Sequence, residues 1–306
     1  MATEPTIGVL GSRPIAARNS IAGIYATALD GWALTKPEVN FLVVIATFVG
    51  FRMASNAAPT RVLIYTLLGT LLVASGAAAL NQFIERSFDA QMRRTSRRPL
   101  AADRLRPSHA LWFGISLSVA GTVYLAAVNL LAALLAAITL LSYLFLYTPL
   151  KRKTPLCVLV GAFPGAAPPL IGWAAARGRL DAEAWVLYSI IFLWQFPHFM
   201  AIAWMYRQDY SRAGYHVLPA DGLRDGFIKW QSFAFSLALV PVAIIPSVTG
   251  ESGSVYAIGA AVLSLAFLCA SGRFSFHRSN VTAKQLLIAS ILYLPLLFSL
   301  LLLDKR

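Results

Sequence analysis

Asn81, Glu85 and Asp89 stand four residues apart at the start of the stretch NQFIERSFDAQMRRTSRRPLAADRLR, positions 81–106. On a helix this spacing puts the three side chains on one face, a turn apart. Two carboxylates so placed repel each other unless a cation sits between them. Oxygen ligands in that arrangement suit Mg2+, which keeps several waters and usually bridges to a substrate phosphate. Directly downstream come Arg93, Arg94, Arg97 and Arg98, whose guanidinium forks match the oxygens of a phosphate or carboxylate. A basic loop beside membrane spans accounts for arginines alone. It does not account for an Asn/Glu/Asp row immediately before them.

A second polar stretch, WQFPHFMAIAWMYRQDYSRAG, runs from 194 to 214. Gln195 and His198 interrupt an apolar run, where polar side chains face a bundle interior and often serve function. A histidine satisfied by a neighbouring helix is the plainer alternative. His198 and Asp209 are close to three helical turns apart, about 16 Å on an unbroken helix, although Pro197 favours a local kink. The following loop carries Asp209, Asp221 and Asp225 among four cations. It is expected to supply a second acidic edge, and spacing alone favours the i, i+4 pair Asp221/Asp225.

These residues need a membrane-spanning frame. Of 306 residues, 58% are hydrophobic and 13% charged, against about 25% charged in soluble domains. Nine apolar runs are expected to span: 38–55, 62–79, 109–127, 129–147, 156–176, 184–206, 232–248, 255–270 and 286–303. They predict an all-α polytopic membrane protein, nine transmembrane helices in one bundle around a central cavity, since the alternation of barrel strands is missing. The small residues and prolines of the fifth run favour close packing with room for that cavity. Residues 1–33, mixed in composition and without a compact apolar signal core, are expected to be a loosely ordered cytoplasmic tail, and 34–306 the bundle domain.

Lys and Arg divide 20 to 6 between alternate ends of these runs. That bias places the N-terminus and the basic loops in the cytoplasm and the C-terminus outside. It also explains the net charge of +13 without nucleic acid. Lys36 before Pro37, and Tyr147 followed by Lys151, Arg152 and Lys153, fall on the same side as the carboxylates. Interfacial anchoring explains each taken alone. Cys157 and Cys269 have no metal-binding spacing.

An apolar cavity with metal ligands and arginines at its cytoplasmic mouth fits a lipid diphosphate. The run Asn81-x3-Glu85-x3-Asp89-x2-Met92-x-Arg94-Thr95-x2-Arg98-Pro99-Leu100 resembles the first signature of the intramembrane UbiA-type prenyltransferases, in their protohaem IX farnesyltransferase (haem O synthase) branch. Leu34-Thr35-Lys36-Pro37, Tyr147-Thr148-Pro149-Leu150-Lys151-Arg152, and Trp194-Gln195-x-Pro197-His198-Phe199 leading into Asp209-Tyr210-x2-Ala213-Gly214 match further. Glu85, where most of the superfamily has Asp, marks the haem branch.

The resemblance implies Mg2+-dependent farnesyl transfer from farnesyl diphosphate to a vinyl group of haem B. It implies a bacterial plasma membrane location with the site facing the cytoplasm. The product, haem O, would serve a terminal oxidase or a haem A synthase. Carried over, Asn81, Glu85, Asp89 and Asp209 are the catalytic metal-holding set, which sets Asp209 above Asp221/Asp225. Lys36, Arg93, Arg94, Arg98, Tyr147, Lys151, Arg152, His198, Tyr210 and Arg212 are the substrate-binding candidates. A prenyltransferase for another aromatic acceptor, of 4-hydroxybenzoate or chlorin type, is the alternative. A transporter built of paired half-repeats would instead put charges inside the spans.

Overall fold

In hydrocarbon every backbone N–H and C=O must be bonded within the chain, and apolar runs of this length do so as helices. The computed structural model describes residues 21–218 and 224–306. Its helices are α1 (Ile21–Leu34), α2 (Pro37–Ala54), α3 (Thr60–Asp89), α4 (Pro107–Val128), α5 (Leu130–Leu150), α6 (Cys157–Arg177), α7 (Ala182–Met205), α8 (Arg207–Arg212), α9 (Gly226–Val248), α10 (Ser254–Phe276) and α11 (Asn280–Leu303). All but α1 and α8, nine in total among the described residues, are long and apolar enough to cross a membrane. They match the nine expected runs in order. No β-strand occurs among the described residues.

Local signals set the boundaries. Pro37 and Pro107 open α2 and α4, where a missing N–H costs nothing. The Asn129 side chain caps α5 by accepting from the N–H groups of Leu131 and Ala132, and Ser279 with Thr282 forms a capping box on α11. Gly178, at φ 73°, ends α6. Outward-facing stripes such as Ile64, Leu68 and Leu71 on α3, or Val255, Ile258, Val262 and Leu265 on α10, are exposed. They recur at helical spacing and form the lipid-facing surface.

Helix pairs approach closely at glycines, as packing in a lipid solvent favours. Gly69 and Gly76 on α3 face Gly121 and Gly114 on α4. A Cβ on Gly76 would lie 2.7 Å from the Gly114 carbonyl oxygen and overlap Ser118 Oγ. Gly50 and Gly172 bring α2 equally close to α6, against Pro169 and Thr47.

Two features differ from expectation. Residues 21–33 of the expected loose tail lie in α1, whose last residue Leu34 packs with Ala79, Leu100, Leu105 and Ala110, and Arg104 pairs with Asp30 at 2.9 Å. Residues 1–20 lie outside the described residues. Second, α3 continues ten residues past its expected end at 79, to Asp89. Hydropathy falls at Asn81, but Asn81, Gln82, Glu85 and Asp89 are buried in protein rather than lipid, so the helix persists.

Gly76→Val should therefore lower stability by about 1–3 kcal/mol, the scale of core overpacking. Gly31→Ala, where a Cβ meets nothing within 4 Å, should stay near wild type. Thermal unfolding in detergent compares the two.

Candidate active site

The start of α2 and the ends of α3, α5 and α7 meet at one end of the bundle. The Asn81/Glu85/Asp89 face of α3 lies there, the three residues being 1%, 5% and 1% exposed. Each is met by a cation from elsewhere in the chain. Lys36 Nζ donates to Asn81 Oδ1 at 3.1 Å, Lys151 Nζ to Glu85 Oε1 at 2.9 Å, and Arg98 Nη1 to Asp89 Oδ2 at 2.7 Å. Asp89 Oδ1 is buried without a partner.

Lys36 has φ 51° and ψ 63°, a left-handed conformation that is rare for a residue with a Cβ and concentrates at functional sites. The turn is held by Asn40 Nδ2, which donates to the Thr35 carbonyl at 2.7 Å, and by Gln82 Nε2, which donates to that of Leu34 at 2.8 Å. Burial, with Arg98 and Lys151 nearby, pushes the Lys36 ammonium down to about 7.

Lys151 follows a widened π-type turn over Ser142–Tyr147, a distortion frequent at functional sites. Its ammonium lies 4.5 Å from the centre of the Tyr147 ring. Burial works against charge on Lys151, yet Tyr147 and Glu85 beside it hold its pKa well above the ordinary value. Thr148 links the elements, accepting from Asn81 Nδ2 at 3.2 Å and donating to the Tyr143 carbonyl at 2.8 Å.

The second edge comes from α8. Asp209, 8% exposed, accepts from the Arg94 backbone N–H at 3.2 Å and pairs with Arg212 at 3.5 Å. The Arg94 guanidinium donates to the Tyr210 hydroxyl at 3.4 Å and lies 5.1 Å from the centre of the Tyr206 ring. Arg212 Nη1 donates to the Gln91 carbonyl at 3.5 Å. The two loops thus form one structure, closed by Met92 packed with Ala213 and Tyr215.

Of the candidates named from sequence, Lys36, Asn81, Glu85, Asp89, Arg98, Tyr147 and Lys151 gather in one cluster, and Arg94, Asp209, Tyr210 and Arg212 in the adjoining one. Arg152 covers the Phe88 ring between them at 4.2 Å. Arg93 is exposed on the rim. His198 stands apart: Nδ1 is 2.8 Å from Ser290 Oγ on α11, and the ring stacks on Trp194 at 4.7 Å. Asp221 and the Asp225 side chain lie outside the described residues. Sequence reasoning passed over Thr148, Asn40, Gln82 and Tyr215 as site supports. No spacing marks them, because Asn40, Thr148 and Gln82 each have a partner 35 to 67 residues away, and Tyr215 packs on Phe88 and Met92 of a distant segment.

Among the described residues no three His, Cys, Asp or Glu side chains close into a metal cage. The arrangement is instead two oxygen-bearing edges with cations between, which suits Mg2+ completed by waters and phosphate oxygens. The unpartnered Asp89 Oδ1 fits that use.

A membrane-embedded helical bundle with two oxygen-bearing, arginine-edged segments at one end frames the site of a membrane enzyme. The chain belongs to the UbiA prenyltransferase family, which it matches over residues 43–302. It is 47% identical over 283 residues to the protoheme IX farnesyltransferase of Solibacter usitatus, covering 89% of this chain and 97% of that one. Its fold is shared with a UbiA homolog from Aeropyrum pernix (TM-score 0.71, 20% identity, 86% of this chain and 98% of that one). It is shared also with one from Archaeoglobus fulgidus bound to GPP and Mg2+ (TM-score 0.62, 15% identity, 89% and 99%).

Removing one member of a buried ion pair leaves the other uncompensated, at a cost of about 3–5 kcal/mol. Lys151→Met should therefore destabilise the protein on that scale and Glu85→Gln/Lys151→Met much less, with exposed Arg93→Met near neutral. Thermal unfolding of the three variants measures this.

Proposed function

We propose that this chain transfers a farnesyl group from farnesyl diphosphate to a vinyl group of haem B, giving haem O. The oxygen face of α3, buried under three cations at the end of an apolar bundle, carries this reading, together with the name and 47% identity of the relative above. Asn81, Glu85 and Asp89 would hold Mg2+ on one side and Asp209 on the other. Bound there, the ion would neutralise the diphosphate and stabilise it as a leaving group.

Lys36, Lys151, Arg94, Arg98 and Arg212 would take diphosphate oxygens, with Lys151, Arg98 and Arg212 turning to them from the carboxylates they now pair with. The C1–O bond of the donor breaks as diphosphate leaves. The terminal vinyl carbon of haem bonds to farnesyl C1, and water adds to the adjacent carbon with loss of a proton, leaving a hydroxyethylfarnesyl group. The Tyr143 and Tyr147 rings, 5.4 Å apart, supply π faces for the cationic stage. Arg93 and Arg152 at the rim are assigned to the haem propionates, and Tyr210 to the diphosphate edge through Arg94. His198 is assigned to the haem pocket wall, its Nδ1 already engaged by Ser290. The membrane is the bacterial plasma membrane, with the site cytoplasmic and the C-terminus outside. Haem O would then serve a terminal oxidase or a haem A synthase.

Expression in a host lacking haem O, followed by haem extraction and chromatography, tests the reading. A more hydrophobic haem should appear, and Asp89→Asn should reduce it at least about a hundredfold, the scale of losing one electrostatic catalytic group, with insertion intact. Chelation of divalent metal in isolated membranes should stop it reversibly. Unchanged haem B with the protein stably inserted would point instead to a phenolic or chlorin acceptor.

A further inference from the structure

Tyr215 lies beyond α8 and takes no part in the chemistry above. Gly214, at φ +69°, turns the chain through a left-handed conformation just before it. Two backbone bonds then fix its place: Tyr215 N–H donates to the Tyr210 carbonyl at 2.9 Å, and His216 N–H to that of Lys151 at 2.7 Å. The ring stands edge-on to both Phe88 and Tyr210, with centroids 6.0 Å away in each case, and packs with Met92 and Ala213. Phe88 follows Glu85 by three residues on α3, so this packing brings the phenol toward the acidic face of that helix.

Tyr215 is 7% exposed, and its hydroxyl is buried with no hydrogen-bond partner. It approaches the Glu85 carboxylate without closing a hydrogen bond of standard geometry. A buried hydroxyl left unpaired is unfavourable and calls for an explanation. Asp89 Oδ1 and Gln82 Oε1 on α3 are likewise buried without a partner.

Two donors thus face Glu85, and they differ in kind. Lys151 is charged, so it satisfies the carboxylate only while no metal ion takes it. A phenol is neutral, and it can hold one carboxylate oxygen while the other binds a metal, as outer groups around metal ligands commonly do. We propose that Tyr215 is a positioning residue of the metal edge: when a divalent cation takes Glu85 and Lys151 turns to the diphosphate, the Tyr215 O–H donates to the remaining Glu85 oxygen and fixes its orientation. The proposal rests on the prenyl-diphosphate reading for the ligand, but its test is independent of haem.

The experiment is a Mn2+ titration followed by electron paramagnetic resonance, on the full-length protein in detergent with inorganic pyrophosphate present. Tyr215→Phe keeps the ring and removes only the hydroxyl. It should weaken Mn2+ binding about tenfold, with the metal-free unfolding midpoint unchanged or raised. In a Glu85→Gln background the same substitution should cost nothing further, because its effect runs through that carboxylate. Unchanged Mn2+ affinity in Tyr215→Phe overturns the proposal while leaving the site reading intact, as does a full additional loss in the Glu85→Gln background. A fall in the metal-free midpoint that accounts for the loss of affinity also overturns it, since the role is then structural. Failure of the wild type to bind Mn2+ overturns the two-edge site itself.

Discussion

Charge buried at a membrane end has to be balanced by opposite charge within reach, and this constraint organises the chain. The Asn81/Glu85/Asp89 face would be untenable in a low-dielectric surrounding by itself. Balance comes from Lys36 before α2, Lys151 after α5 and Arg98 in the loop after α3. Each cation belongs to a different segment, so forming the site closes the bundle end.

Such pairs are weak grounds for claiming stability, because desolvating both partners offsets most of their attraction. What they provide is readiness. The site is cationic when empty, with Lys36, Arg94, Arg98, Lys151 and Arg212 against Glu85, Asp89 and Asp209, which suits it to an anion. It can exchange its internal pairs for a metal ion and an anion with little change in net charge. The left-handed Lys36, the π-type turn ahead of Lys151 and the left-handed Gly214 lie where these segments enter the site. Helices α3 and α4 pack closely through Gly69, Gly76, Gly114 and Gly121 along the part of α3 that precedes the acidic face.

The spans, their order and the carboxylate row were legible in sequence, because hydropathy and helical spacing are local properties. That Asp209 lies beside Arg94 had no local signal, and the family resemblance alone favoured it over Asp221/Asp225, whose side chains lie outside the described residues. Spacing by itself favoured Asp221/Asp225, since an i, i+4 pair is a local signal and a loop folded back onto Arg94 is not. The end of α3 was drawn too early at residue 79 for a similar reason. Hydropathy registers loss of lipid contact, whereas protein burial of Glu85 and Asp89 keeps the helix going.

The amino-acid order determined that this chain lies in a membrane as helices, which end carries the positive charge, and which α3 residues share a face. Those follow from interactions over a few residues and from the cost of an unbonded backbone in hydrocarbon. Tertiary structure decided which cation meets which acid, that His198 turns to Ser290, and that the Tyr215 hydroxyl is left unpaired beside Glu85. Contacts such as Lys36 with Asn81, or Arg94 with Asp209, join positions 45 and 115 residues apart. Only the packed helices bring them within range.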